Sequence, residues 1–270
     1  MARSSDRYEM AEESLKSFTR SKVRTEILLL LKEGNKSTSD LEEEMGIRNT
    51  TILHAIKEMI KSKLVTRAEK GYGLTNLGRM QASMLSEIID FVLVMEKYSD
   101  FWVNHDISGI PDELLVKMGR LYKSEIIEAD SSELLKTVDY FIAELKKSNR
   151  IQGVSPIIVP GYAEVIAHCV RNNAEIELIV TSEILEVIFR DHEYLIKDLM
   201  KKSNFKLYEI QEYVTLAFTV TEKILDFGAY RSDGTYDLSC DLICIGESAV
   251  KWGRELFDYY RNKSRLVENV

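Results

Sequence analysis

Hydrophobic positions in the first eighty residues recur at helical spacing three times and then alternate around a glycine. Val23, Ile27, Leu30 and Leu31 mark a helix from about Phe18 to Glu33, stopped by Gly34. Ser39, with Glu42 three residues on, reads as a capping box that opens a second helix with Leu41 and Met45 inward and Gly46 at its end. A third helix starts near Asn49 or Thr50 and carries the apolar stripe Ile52, Leu53, Ile56, Met59 and Ile60. Leu64 to Arg67 and Tyr72 to Thr75 read as strands around the turn Glu69-Lys70-Gly71. Three helices followed by a hairpin, in that order, predict a winged helix-turn-helix over residues 1–75.

The stripe of the third helix leaves Thr50, Thr51, His54, Lys57 and Lys61 on its polar side. Side chains of this type suit groove contact. Asn49 and Thr50 stand at a helix N-terminus, where they can meet base edges or phosphates, Arg48 can do either, and Lys57 and Lys61 offer mobile positive charge to the backbone. On the wing, Arg67, Lys70 and Tyr72 are the expected contacts. The alternative is an ordinary three-helix fold whose lysines form a solvated face, or a winged helix that binds protein.

Beyond the wing, Leu77, Met80, Met84, Ile88, Phe91, Met95 and Tyr98 follow at steps of three and four, which predicts one amphipathic helix from about Asn76 to Ser99. It acts as linker over residues 76–106, and its stripe packs either on its own chain or on a second copy. A homodimer is the expectation, because operators are usually paired half-sites.

From Ile107 the pattern changes. Pro111 opens a helix start with Leu114, Leu115 and Met118, Leu121 to Glu128 reads as extended, and Asp130 with Glu133 caps a helix ending near Lys147. Strand-like 151–159, a helix from Tyr162 to Arg171, strand 176–181 and a helix from Ser182 to Lys202 follow. Such alternation predicts an α/β layer with parallel pairing. Four further strands near 206–210, 214–220, 223–230 and 238–245, then a helix from Glu247 to Asn262 with Trp252, Leu256, Phe257 and Tyr260 inward, complete a domain over 107–270. The overall class is α+β with an α/β C-terminal domain.

Charge sharpens the first expectation. The chain of 270 residues carries a net charge of −8, yet residues 1–80 hold 15 Lys plus Arg against 12 Asp plus Glu, and residues 45–80 hold 7 against 2. Positive charge sits where a duplex would lie, and an acidic remainder discourages binding the polyanion elsewhere. The longest aliphatic run, Ile27 to Leu31, is far too short to cross a bilayer, and MARSSDRYEM lacks the apolar stretch of a signal peptide, so a cytoplasmic protein without membrane contact is expected. Cys169, Cys240 and Cys244 are too few and scattered for a disulfide scaffold. No cofactor and no metal site is expected: there is no phosphate-cradling glycine motif, no cysteine in the winged helix, and Cys240 and Cys244 share a strand face with Leu242, where packing is the simpler use.

Several phrases are distinctive. FWVNHDISGIPDELL (101–115), GVSPI (153–157), ELIVTSEILE (177–186), LAFTVTEKIL (216–225) and DGTYD followed by DLICIGESAVKWGRELFDYYR (233–261) resemble archaeal winged-helix transcription regulators with a methanogenesis-regulator FilR-type domain. The likeness spans about residues 10–265; the winged-helix half also looks like ArsR-type regulators. It implies a transcription factor with a C-terminal effector domain. Some members carry an N-terminal receiver domain, for which these 270 residues leave no room, so control other than direct phosphorelay is expected. The C-terminal pattern is similar to the effector domain of TrmB-type sugar-responsive regulators, itself like a phospholipase D half. Phospholipase D chemistry requires a His with a Lys two residues on, and none of His54, His105, His168 or His192 has one, so an enzyme is not expected. His105-Asp106 as an acid/base pair is the weaker alternative to a cap or backbone contact.

A ligand pocket in such a sheet favours strand ends, and Ser155, Tyr162, Thr181, Thr219, Arg231 and Tyr236 are the candidates. Arg231 can hold a carboxylate or phosphate, or pair internally with Asp233 or Asp237. The reading is a homodimeric regulator that binds double-stranded DNA and senses a small molecule or protein signal. Its rivals are a protein-interaction adaptor and a degenerate hydrolase with a docking winged helix.

Overall fold

A computed structural model describes residues 4–129, 133 and 135–268, and divides into two compact units, 1–89 and 90–270. In the first unit α1 (Ser4–Thr19), α2 (Lys22–Glu33), α3 (Thr38–Met45) and α4 (Asn49–Lys61) precede the hairpin β1 (Val65–Ala68) and β2 (Gly71–Leu74). Helix α5 (Asn76–Lys97) follows, and the division between the units falls within it.

Ser37, not Ser39, caps α3: its hydroxyl accepts from the Asp40 amide at 3.1 Å, and the Asp40 carboxylate accepts from the Ser37 amide at 2.7 Å. The predicted partner Glu42 instead reaches forward, and its carboxylate accepts from the Asn49 amide at 3.2 Å, satisfying one of the open donors at the start of α4. The shift by two residues has a non-local cause, since Lys36 is drawn into a strand-like bridge with Tyr72 and the helix must begin directly after it. Ile52, Ala55, Ile56 and Met59 bury the inner face of α4 against Ile27, Leu28, Leu31 and Leu41. Ile60 is exposed, a correction to the predicted stripe, because Ala55 takes the inward position closer to the centre of the buried face.

Gly71 (φ +87) makes the wing possible. A Cβ there would collide with the Lys36 carbonyl, whose bridge to Tyr72 adds a third short strand to the hairpin. Gly71→Ala should therefore destabilise the first unit by about 1–2 kcal/mol, from the left-handed backbone and the lost approach. Chemical denaturation followed by far-UV circular dichroism checks this; an unchanged midpoint would show that the wing tolerates a Cβ.

α5 has two apolar sides. Ala82 and Leu85 enter the core of the first unit, whereas the predicted stripe residues Leu77, Met80, Met84 and Ile88 lie exposed, Met80 at 71%. Farther along, in the second unit, Met95 is exposed, Phe91 is half-buried and Tyr98 is buried.

The second unit continues with α6 (Ser99–Asn104), α7 (Asp112–Leu115), a 3₁₀ turn (Met118–Leu121), β3 (Ser124–Glu128), α8 (Lys136–Leu145), β4 (Arg150–Ser155), α9 (Tyr162–Arg171), β5 (Glu175–Thr181) and α10 (Ser182–Met200). β6 (Phe205–Ile210), β7 (Leu216–Val220), β8 (Ile224–Ala229), β9 (Cys240–Ile245), α11 (Glu247–Arg261) and β10 (Arg265–Leu266) complete it. The predicted Asp130 cap lies outside the described residues. These strands form one mixed sheet in the order β10-β6-β5-β4-β7-β8-β9-β3. β4, β5 and β6 are parallel, joined through α9 and α10; β7, β8, β9 and β3 extend the sheet antiparallel.

Strand alternation divides the sheet into two unlike faces. On one, Val154, Phe218, Val220, Leu225, Phe227 and Leu242 pack under Trp252, Leu256, Phe257 and Tyr260 of α11. The other is covered by α8, α9 and α10 over β4, β5 and β6, where Ile151, Ile176, Leu178, Val180 and Leu207 form a second core. Past β4 that second face becomes small and polar toward one end, with Thr219 and Ala217 on β7, Asp226 and the bare Gly228 on β8 and Asp241 on β9, while Ile224 and Ile243 stay apolar.

Candidate nucleic-acid interface and effector cavity

The outward side of α4 presents Thr50, Thr51, His54, Lys57 and Lys61 to solvent, directly opposite the buried Ile52, Ala55, Ile56 and Met59. Arg48 precedes the helix as an exposed residue without a capping bond of its own, and Asn49 is half-buried with its amide already given to Glu42. Lys61 is engaged by Glu58 at 2.7 Å, and that contact holds the Glu58 carboxyl below its usual range. Lys57 has no ion pair among the described residues. On the wing Arg67 and Lys70 are exposed. Tyr72 differs: it stands across the hairpin from Arg67, but its ring packs against the core of the unit. One helix face and one hairpin thus offer a cationic surface, with Tyr72 as its footing.

In the second unit the small and polar patch of the sheet lines a cavity of about 50 Å³. Ser155 at the end of β4, Tyr162 at the start of α9, Thr219 in β7 and Tyr236 line it, together with Phe141 of α8. Thr219 hydrogen-bonds the Tyr162 hydroxyl, and burial pushes that phenol's pKa up. Phe141 stacks on Tyr162 with ring centroids 5.6 Å apart and planes 26° from parallel. Two carboxylates share the space. Asp226 is 7% exposed, and its Oδ2 has no hydrogen-bond partner among the described residues. Desolvation, then repulsion from Asp241, raises its pKa well above the usual carboxyl range. Asp241, half-buried, is pushed up to about 7, chiefly by burial and further by Asp237. Gly228 lies beneath the pair's edge, and a Cβ there would strike the Tyr236 hydroxyl and the Asp241 carboxylate, so both approach the bare backbone.

Both units match known families. Residues 12–93 match the N-terminal domain of the methanogenesis regulatory protein FilR1, and residues 134–263 match its middle domain. The chain carries a FilR1-type N-terminal domain and a FilR1-type middle domain. It is 37% identical over 258 residues to the methanogenesis regulatory protein FilR1 of Methanothrix harundinacea, covering 94% of this chain and 58% of that relative, so it spans less than two thirds of the relative's length. It is also 23% identical over 218 residues to the transcriptional activator ArnR1 of Sulfolobus acidocaldarius, covering 77% of this chain and 80% of that one. Among solved structures, TrmBL2, described as an archaeal chromatin protein with a novel mode of DNA binding, overlaps with a TM-score of 0.45 at 13% identity over 86% of this chain and 88% of its own. The phospholipase D family member Nuc from Salmonella typhimurium overlaps with a TM-score of 0.39 at 8% identity over 54% of this chain and 97% of its own.

Within the FilR1-type middle domain, the six ligand candidates divide. Ser155, Tyr162, Thr219 and Tyr236 meet around the cavity, and two do not. Thr181 is spent on the start of α10, where its hydroxyl accepts from the Ile184 amide at 3.4 Å. Arg231 takes the internal alternative: its guanidinium donates to Asp237 Oδ2 at 2.8 Å through Nε, with Nη2 equally close. Burial works against the Asp237 carboxylate, but hydrogen bonds from Arg231 and Ser239 outweigh it and hold its pKa at about 2. His105 completes this cluster. It stacks on Phe101, its Nδ1 lies 2.8 Å from the Phe101 carbonyl, and its Nε2 lies 3.2 Å from Asp237 Oδ2. Asp106 turns away to cap the Ser108 amide at 2.8 Å, so the adjacent His105-Asp106 pair does not act as a unit. Cys240 and Cys244 pack in the α11 core as free thiols that burial pushes up to about 12. No helix is long and apolar enough to cross a membrane among the described residues.

Proposed function

We propose that the protein is a homodimeric, DNA-binding transcription regulator with an ArsR-like winged helix, in which the FilR1-type middle domain takes a small effector. The observation that carries this reading is the α4 face: Thr50, His54 and Lys57 stand in solvent on a helix whose other side is fully buried, beside a wing with Arg67 and Lys70 exposed. Cations so placed can follow phosphates while residues at the helix start approach base edges. The names of its relatives, a methanogenesis regulatory protein and a transcriptional activator, support the same reading.

The second half of the proposal is regulation through the middle domain. Its cavity, with an unpartnered buried carboxylate, is the natural place for an effector, and no catalytic step is assigned to it. The exposed Leu77, Met80, Met84 and Ile88 support a two-fold pairing through α5, since soluble surfaces rarely leave such a row uncovered.

Lys57→Ala and Lys70→Ala are each expected to weaken binding to the gene's own upstream duplex about three- to tenfold and to flatten the log–log salt slope by roughly 0.9, the signature of one lost phosphate contact. Asn49→Ala is expected to relax sequence preference instead. Fluorescence anisotropy from 50 to 200 mM salt, about the range where such contacts dominate, reads both. Unchanged slopes for the two lysine variants would remove α4 and the wing as the DNA surface. Weak, sequence-blind retention by the parent protein would favour an adaptor.

A further inference from the structure

The cavity in the middle domain has a chemistry more specific than its size. It contains two carboxyl groups, Asp226 and Asp241, and no basic side chain among the described residues that line it. Among the described residues of this unit, the other acids so deeply placed are answered: Asp237 by Arg231 and His105, Glu209 by Arg265 at 2.6 Å and Ser182 at 2.6 Å. Asp226 lines the cavity, and its buried Oδ2 has no donor among the described residues. Its lining includes the rings of Phe141 and Tyr162, stacked on each other, and of Tyr236. Aromatic faces and carboxylates attract the same kind of ligand, a cation.

We propose that this cavity binds a small organic cation, an alkylammonium group carried on a short apolar tail, which pairs with Asp226 and Asp241. The proposal rests on the reading of the cavity as the effector site. The head group follows from charge. A neutral polyol would give hydrogen bonds but no opposite charge, and an anion would be repelled by whatever negative charge the two carboxyl groups carry. An ammonium supplies both the donor that Oδ2 lacks and the opposite charge.

The tail follows from geometry. A cavity of about 50 Å³ admits a head group of a few heavy atoms. Next to it lies a second cavity of about 110 Å³ that shares Ser155, Ile157, Val159 and Tyr162 with the first and is lined mainly by aliphatic side chains such as Leu178, Val180 and Ile188. The segment 156–161 between β4 and α9 borders both. A ligand with its ammonium between the carboxylates can therefore extend its chain past Tyr162 into an apolar chamber.

Isothermal titration of the full chain with n-butylammonium, 1-butanol and butyrate, at matched ionic strength and pH 8, tests this. The three probes share a carbon chain and differ in head group. Butylammonium is expected to bind at least about tenfold more tightly than butanol, with butyrate weaker still, and Asp226→Asn is expected to remove about tenfold or more of the amine's affinity. Retained secondary structure in the variant, read by circular dichroism, excludes misfolding as the cause. Butanol or butyrate binding as tightly as the amine would overturn the cation and keep the cavity as an effector site. Amine binding that ignores Asp226→Asn would place the cation elsewhere and also overturn the proposal. No binding of any probe would take the effector-site reading down with it.

Discussion

Met84→Asp combined with Ile88→Asp is expected to leave the protein folded, convert it to a monomer, and lower affinity for a two-half-site operator by about 10²- to 10⁴-fold. The expectation starts from α5, where Ala82 and Leu85 hold the helix to its own unit while Met84 and Ile88 sit on a different side, in solvent. Charges placed there cost the monomer little, because the side chains they replace are already exposed. In a two-fold dimer the same charges face their own copies across an apolar seam, where desolvation and repulsion both oppose pairing. A single winged helix then engages one half-site, and the second loses the benefit of being tethered to the first. Light scattering at micromolar concentration reads the assembly, and anisotropy reads the affinity. A parent protein that is monomeric, or a variant that stays dimeric, would remove α5 from the interface.

The elements most readable from sequence are those whose limits are set by local chemistry. The helix from Tyr162 to Arg171 begins after Pro160 and Gly161 and ends before two asparagines, and its observed span is the predicted one. The third helix of the winged motif starts at Asn49, where polar residues give way to an apolar stripe. α1 is not legible in the sequence, because SSDRYEMAEESLKSFT is highly charged and carries no continuous stripe. The cap of α3 differs from the expected one for another reason: Ser37 and Ser39 are equal candidates locally, and the choice depends on Lys36 meeting Tyr72 across the hairpin.

The same contrast holds at the cavity. Ser155, Tyr162, Thr219 and Tyr236 stand near strand and helix ends, where polar residues announce a site. Asp226 and Asp241 are hidden from such a reading because they lie inside strands that read as apolar. ILDFGA carries the signal: one acid in a strand buried at every position is costly unless something answers it. Which residues share its chamber depends on the register of β7, β8 and β9, and no single sequence specifies that.

Asp226→Asn is expected to raise the thermal midpoint at pH 8 by about 3–10 °C, corresponding to the roughly 1–3 kcal/mol cost of a buried group without its partner, and to change it little at pH 4. The direction follows from linkage. A carboxyl whose folded pKa lies above its unfolded value contributes stability that is complete below the unfolded value and lost as pH rises through the folded one. Asp226 is raised by desolvation and by Asp241, and Asp241 itself is pushed up to about 7, so the loss begins near pH 4 and continues through neutrality. The other groups facing them stay in one state over this range: burial pushes Tyr162 and Tyr236 upward, and Asp237, near 2, remains ionised. Asparagine mimics the protonated acid at every pH and escapes the penalty. Asp241→Asn acts on the same pair, so the double variant should gain less than the sum of the two. Differential scanning fluorimetry at pH 4, 6 and 8 gives the curves, and a variant no more stable than its parent at pH 8 would mean that burial does not oppose ionisation of Asp226. If the gain appears together with loss of amine binding, the destabilising carboxylate is kept for the ligand it receives.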